Sequence, residues 1–233
     1  MYRFVFHHKE CPPIEGYTLI DNSKCAEYDH RIWSELAGYK VLLDMLNTEK
    51  AENDMLKYAD SDWISLNHYR RLLDPDYCNR TTVAQPMVFN CSLAQNYAAF
   101  HNIEDLKLAG EALKEEYPHL APIFNQVING NIFIPYTIGI MTVGQFRDYV
   151  GYLLKVLDNV HKKIGTSDYE GRLDYIKRHP ELYTGKQDNR PEYQARIEAF
   201  LAERLSTVYW MFIGQHTPVF PATVRLLEKD QKI

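Results

Sequence analysis

Residues 62–76, DWISLNHYRRLLDPD, decide the fold. Trp63-Ile64-Ser65-Leu66 is a short apolar, β-prone run. It leads straight into Asn67-His68-Tyr69-Arg70-Arg71. A buried strand that ends on a histidine, a tyrosine and two arginines needs either acids or a ligand to meet those charges. In open α/β sheets, ligands bind outside the carboxyl ends of the strands. The question is therefore whether the rest of the chain alternates strands with helices.

It does. Residues 2–6 and 17–20 read as strands, and His7-His8-Lys9 ends the first. Ile32, Leu36, Tyr39, Leu43 and Leu46 form a helical stripe over 30–46, which Trp33 and Leu42 broaden. A further helix is expected over 49–58. Strands follow at 63–66, 86–89, 131–134 and 138–142, and helices at 102–117 and 120–128. Phe146, Val150, Leu153, Leu157 and Val160 keep strict helical spacing. Residues 161–191 are polar and broken by Gly165, Gly171, Pro180 and Gly185, which predicts a long loop or lid. A last helix is expected over 192–212, then a C-terminal tail over 213–233. This order predicts an α/β fold with a mostly parallel sheet in one domain spanning 1–233.

Composition narrows the function. The 233 residues carry a net charge of −5, with 45% apolar and 24% charged residues. That balance is ordinary for a globular protein and speaks against a nucleic-acid binder. No apolar run reaches the length of a membrane span, and MYRFVFHHKE lacks a signal peptide's apolar region. Cys11, Cys25, Cys78 and Cys91 show no metal-ligand spacing, so free thiols in a cytoplasmic protein are expected. Seventeen tyrosines suit a surface that contacts sugars or nucleotides. G-x-G-x-x-G, P-loop, H-E-x-x-H and G-x-S-x-G patterns are absent.

The basic cluster is the strongest candidate site. Arginine's planar fork matches phosphate oxygens in pairs. His68 adds a donor, Tyr69 a ring to stack on, and together with Arg70 and Arg71 they suit a nucleotide-sugar's diphosphate. The plainer alternative is a structural arginine cluster paired with local acids. Glu35, on an otherwise apolar helix, is expected to anchor Arg70 or Arg71. Asp74-Pro75-Asp76 spells D-x-D, whose oxygens suit magnesium or manganese, although a turn is the commoner meaning. On the last helix Arg196 and Glu203 share a face, where Glu203 is placed as a general base. The alternative is a solvated Glu203, with Glu192 and Arg196 as an i,i+4 pair. His7 and His8 point to opposite faces of a strand, so one of them is expected to reach a phosphate or hydroxyl.

These residues resemble a bacterial family catalogued as a domain of unknown function, whose members are described as capsular or exopolysaccharide glycosyltransferases. "WISLNHYRRLL" matches its strand running into His-Tyr-Arg-Arg, and "FVFHHK" its early strand ending in His-Lys. "IWSELAGYKVLL", "YAAFHNIEDLKLAGEALKEEYP", "GIMTVGQFRDYVGYLLKVL" and "FLAERLSTVYW" follow in the family's order over almost the whole chain. Two departures stand out. Leu72-Leu73 replaces an aromatic, and Thr137-Ile-Gly-Ile-Met141 replaces Asn-Met-Phe-Ile-Met.

The resemblance implies a GT-A-like nucleotide-diphospho-sugar transferase fold and sugar transfer in cell-surface polysaccharide synthesis. It places His68, Tyr69, Arg70 and Arg71 where other GT-A enzymes keep D-x-D, and Glu203 near a catalytic acid's position. His7, His8, Lys9 and Arg204 join the expected diphosphate-binding set, and His68 joins Glu203 as a candidate catalytic residue. Glu35 and Arg196 are supporting residues. Asp74 and Asp76 remain candidate ligands of a divalent cation. The expected partners are a UDP-sugar and a glycan or lipid-linked acceptor, met in the cytoplasm at the inner membrane face. The rival reading is a non-catalytic module of the same fold that binds a nucleotide-sugar, a glycan or a partner enzyme. A phosphate-ester hydrolase using His7, His8 or His68 is a third, without a ligand set to support it.

Overall fold

The computed structural model describes residues 1–9, 11–49, 57–73 and 79–227. Its strands are β1 (Tyr2–His7), β2 (Thr18–Asp21), β3 (Trp63–His68), β4 (Arg71–Leu73), β5 (Thr82–Ala84), β6 (Met87–Val88), β7 (Ile132–Phe133), β8 (Gly139–Thr142), β9 (Phe220–Ala222) and β10 (Val224–Leu226). Its helices are α1 (His30–Trp33), α2 (Glu35–Thr48), α3 (Leu93–Phe100), α4 (Ile103–Glu116), α5 (Ala121–Asn129), α6 (Val143–Ile164), α7 (Tyr169–Arg178), α8 (Pro191–Gln194) and α9 (Ile197–Ile213).

The main row of the sheet runs β2-β1-β3-β8-β5-β9. β1 pairs in parallel with β2 and β3, and β5 with β9. β8 is antiparallel to both β3 and β5, so it alone opposes the other strands of that row. The register sets Phe6 beside His68 and His7 beside Asp21. Three parallel strands therefore end together at one edge, where the sequence puts its histidines and arginines. Tyr69 and Arg70 make the turn that folds β4 back, pairing His68 with Arg71.

Both faces of the sheet are covered, which is why β1 and β3 read as nearly continuous apolar runs. Phe4, Phe6, Ile64 and Leu66 pack with Leu36, Tyr39 and Leu42 of α2, Phe146 and Val150 of α6, and Leu201 and Leu205 of α9. A capping box starts α6: the Thr142 hydroxyl accepts the Gln145 N–H, and the Gln145 carboxamide accepts the Thr142 N–H. Gly165, at φ 75°, ends it in the left-handed conformation that glycine adopts without penalty.

Several expectations needed correction. The helix over 30–46 is broken at Ser34, whose backbone sits at φ 50°, ψ −123°. The supposed long loop over 161–191 holds the end of α6, then α7, then the start of α8. Its helix α7 escaped notice because its most deeply buried side chain is a guanidinium, not an apolar stripe. Arg172 is fully buried, 2.7 Å from Glu198, and His161 lies 2.7 Å from the same carboxylate. The final helix is split into α8 and α9. Arg172 Nη1 takes the Ala195 carbonyl, an acceptor that a continuous helix would have kept for itself. The tail over 213–233 contains β9 and β10, which pair with β5 and β4. The sequence reading missed α3, although Ser92 and Gln95 form a capping box before it. Most of the helix expected over 49–58 lies outside the described residues.

Candidate functional site

A cavity of about 650 Å³ opens at the carboxyl edge of β3. Its walls come from the start of α2, the β7–β8 connection, α3 and α9. They bring together Glu35, His68, Arg71, Arg196, Glu203 and Arg204, residues far apart in sequence.

Glu35 is the first residue of α2, and its carboxylate is three-quarters shielded, at 26% exposure. His68 Nε2 lies 3.0 Å from Oε1, and the Ser34 hydroxyl donates to Oε2 at 2.6 Å. Burial alone would raise this carboxyl. The hydrogen bonds from His68 and from the Ser34 hydroxyl outweigh burial and hold it at about 2. The expected anchoring of Arg70 or Arg71 by Glu35 is therefore overturned: Glu35 is committed to His68 and Ser34. His68 is committed too. Its Nδ1 accepts the Arg70 backbone N–H at 3.3 Å, so both ring nitrogens are engaged within the protein.

Glu203 faces the same cavity from α9. Arg204 Nη1 lies 3.1 Å from its Oε2, and the Tyr136 backbone hydrogen-bonds it. Burial pushes its carboxyl up; Arg204 and Arg71 pull it down, and the Glu35 charge pushes it up again. The net shift is upward, which suits a proton acceptor more than a permanent counter-ion.

The two arginines nearest Glu203 differ. Arg204 is 5% exposed and tightly held: Nη2 donates to Asn96 Oδ1 at 3.2 Å, Nη1 to the Phe200 carbonyl at 3.3 Å, and the guanidinium lies over Tyr97 and Phe133. Both bury an Nε that has no hydrogen-bond partner, but the Arg71 guanidinium, 4.2 Å over the Tyr136 ring, makes no side-chain hydrogen bond or ion pair at all among the described residues. Arg71 is thus the cation with spare donor capacity beside Glu203.

The other basic residues form a rim outside the cavity lining. The His7 ring bonds the Lys9 carbonyl at 2.9 Å. His8 packs between Tyr69 and His30, and its imidazole pKa is lowered mainly by burial. Arg70 lies over the Tyr69 ring and donates to its hydroxyl. Asp74 and Asp76 lie outside the described residues. Among the described residues no group of three or more histidine, cysteine or carboxylate side chains is placed to hold a metal ion. Arg196 lines the cavity, and the alternative of an ion pair with Glu192 is not what forms. Its guanidinium stacks instead on Tyr193 and Phe200, at 5.0 and 5.1 Å from their centroids.

Sequence reasoning missed the residues that hold the two carboxylates in place. Ser34 and Tyr136 both have positive φ, at 50° and 64°, without being glycine. Such backbone strain of about 1–3 kcal/mol persists only where surrounding contacts enforce it. Each touches one carboxylate: Ser34 bonds Glu35, and Tyr136 bonds Glu203. A buried chain joins the two walls. Tyr39 Oη lies 2.9 Å from the Thr137 carbonyl and 2.8 Å from its hydroxyl. Tyr149 Oη lies 3.5 Å from that carbonyl and 2.6 Å from Ser206 Oγ on α9. Glu35 and Glu203 are thus each one turn from an end of one hydrogen-bonded path.

A family model described as a domain of unknown function, DUF4422, matches residues 79–178. That span excludes Glu35, His68, Arg71 and Glu203. No curated protein matches the chain. Among solved structures, the apo form of WbbM, a bifunctional glycosyltransferase, superposes with a TM-score of 0.67 at 14% identity. The match covers 98% of this chain and 45% of that one, so this chain spans less than half of its length. At that identity the likeness is one of fold. The expected α/β architecture, a mainly parallel sheet flanked by helices, is the one observed.

Proposed function

We propose that this protein is a glycosyltransferase that moves a sugar from a nucleotide-diphospho-sugar to an acceptor hydroxyl in cell-surface polysaccharide synthesis. The observation that carries the reading is the cavity itself. At the strand edge where α/β folds bind ligands, it sets an under-bonded arginine beside a carboxylate of raised pKa. A second, firmly ionised carboxylate stands opposite.

In this reading Arg71 receives the diphosphate, and Arg70, Lys9 and His8 on the rim guide it in. The bond from the sugar's anomeric carbon to the diphosphate oxygen breaks, and its electrons leave with the nucleoside diphosphate. Arg71 stabilises that charge as it develops. The acceptor oxygen forms the new bond to the anomeric carbon, and Glu203 takes its proton. Arg204 and Asn96 orient Glu203. His68 serves by holding Glu35 and the β3–β4 turn, since its nitrogens are already engaged. Uridine diphosphate is the nucleotide we infer, and the inner membrane face the place of action. Among the described residues no helix is long and apolar enough to cross a membrane.

Calorimetric titration with a panel of nucleotide-sugars, with and without manganese, tests this. One donor is expected to bind, and Arg71→Ala to weaken it by about tenfold or more. A divalent cation held at Asp74 and Asp76 would show as dependence on manganese. If no nucleotide-sugar binds under either condition, the reading fails. Binding without transfer would favour the non-catalytic module.

A further inference from the structure

The charges lining the cavity do not all find partners inside it. Glu35 is taken by His68, and Glu203 by Arg204. His101 bonds Gln194 at 3.2 Å, and burial first, with Arg204 and Arg196 nearby, lowers it to about 3, so it stays neutral. Arg71 and Arg196 remain, each stacked on rings and without a carboxylate within ion-pair distance among the described residues. Asp188, whose carboxyl the Arg196 charge helps to lower, is held by Arg190 at 2.5 Å.

These two arginines sit at different ends. Arg71 belongs to the strand edge. Arg196 lies seven residues before Glu203, about 10 Å along the helix direction. Around Arg196 the wall is aromatic: His101 stacks on Phe200 at 4.0 Å and on Tyr193 at 5.8 Å, with Phe100 beside them. Flat rings with few polar atoms suit the apolar face of a pyranose. Both rings lie to one side of the guanidinium, 4.9 Å from each other, and its N–H donors, which lie in its own plane, make no hydrogen bond among the described residues. That edge matches a planar anion taken two oxygens at a time.

We propose that this end of the cavity is a subsite for an acidic sugar, a uronate whose carboxylate meets the N–H edge of Arg196 while its ring lies against the aromatic wall of Phe100, Tyr193 and Phe200. The inference rests on the transferase reading, in which the strand edge holds the donor and the α9 wall the acceptor. The acceptor glycan is then an anionic one.

The test uses the full chain and tetrasaccharides containing glucuronate or galacturonate, each beside its carboxyl-reduced counterpart. Binding is read by calorimetry. At least one acidic form is expected to bind about tenfold tighter than its reduced form. Arg196→Gln, shown to be folded by its melting temperature, is expected to abolish that preference, and Arg196→Lys to keep part of it. Equal binding of acidic and reduced forms by the unaltered chain overturns the proposal, as does a preference that survives Arg196→Gln. Nucleotide-sugar binding by the unaltered chain is measured alongside. Donor binding without an acid preference sinks this subsite alone. An acid preference without donor binding sinks the transferase reading and leaves an anionic-glycan pocket.

Discussion

The two carboxylates of the cavity have opposite titration behaviour, and each gives a pH prediction. Glu35 is held at about 2, below its ordinary value near 4.5. A depressed folded-state value stabilises the fold above the unfolded pKa, and that stability is lost as pH falls from about 4.5 towards 2. The shift is worth about 3 kcal/mol. Glu35→Gln should therefore melt lower than the parent at pH 7, and the two curves should converge near pH 2. Glu203 is shifted upward, so as a base it works only once pH has risen past that raised value. Glu203→Gln should slow transfer by about 10²–10⁴-fold with little change in donor affinity, and flatten the acid limb of the rate profile. Glu35, His68, Arg71, Arg196 and Glu203 could be singled out in the sequence by the place of their charges at a strand end or on a helix face, and Arg204 through the family resemblance. Their partners could not. Ser34 and Tyr136 take positive φ because the tertiary structure imposes it, and nothing local announces that.

At the scale of elements, helices with an apolar stripe were legible, notably α4, α5 and α6. Helix α7 was not, because it buries Arg172 against Glu198 and His161 rather than a row of leucines. A fully buried ion pair is costly to break, since removal of one partner strands the other charge. Arg172→Ala is expected to cost about 3–5 kcal/mol in chemical denaturation, against roughly 0.5 kcal/mol or less for Arg190→Ala at the surface. Short strands such as β4, β5, β9 and β10 owe their form to distant partners, so periodicity could not find them. The tyrosine path between α2 and α9 makes a second prediction at this scale. Tyr39→Phe and Tyr149→Phe should each cost about 1 kcal/mol, and their combined effect should depart from the sum because both meet at the Thr137 carbonyl. Turnover should fall more than donor affinity, as expected if the path sets the spacing of the two carboxylates.

For the whole molecule, the alternation of strands and helices and the basic end of β3 were enough to predict an α/β sheet with its site at the carboxyl edge. The fold shared with a glycosyltransferase agrees with the predicted architecture. The claim that the cavity transfers a sugar rests on its chemistry: Arg71 with donor capacity to spare, and Glu203 poised to accept a proton. The most direct measurement is release of nucleoside diphosphate from a nucleotide-sugar panel by the full chain, followed chromatographically beside Glu203→Gln and Arg71→Ala. The account predicts release from at least one donor, reduced about 10²-fold or more in both variants. Release that is unchanged in both variants, or a chain that consumes no nucleotide-sugar in the presence of any acceptor, would contradict it.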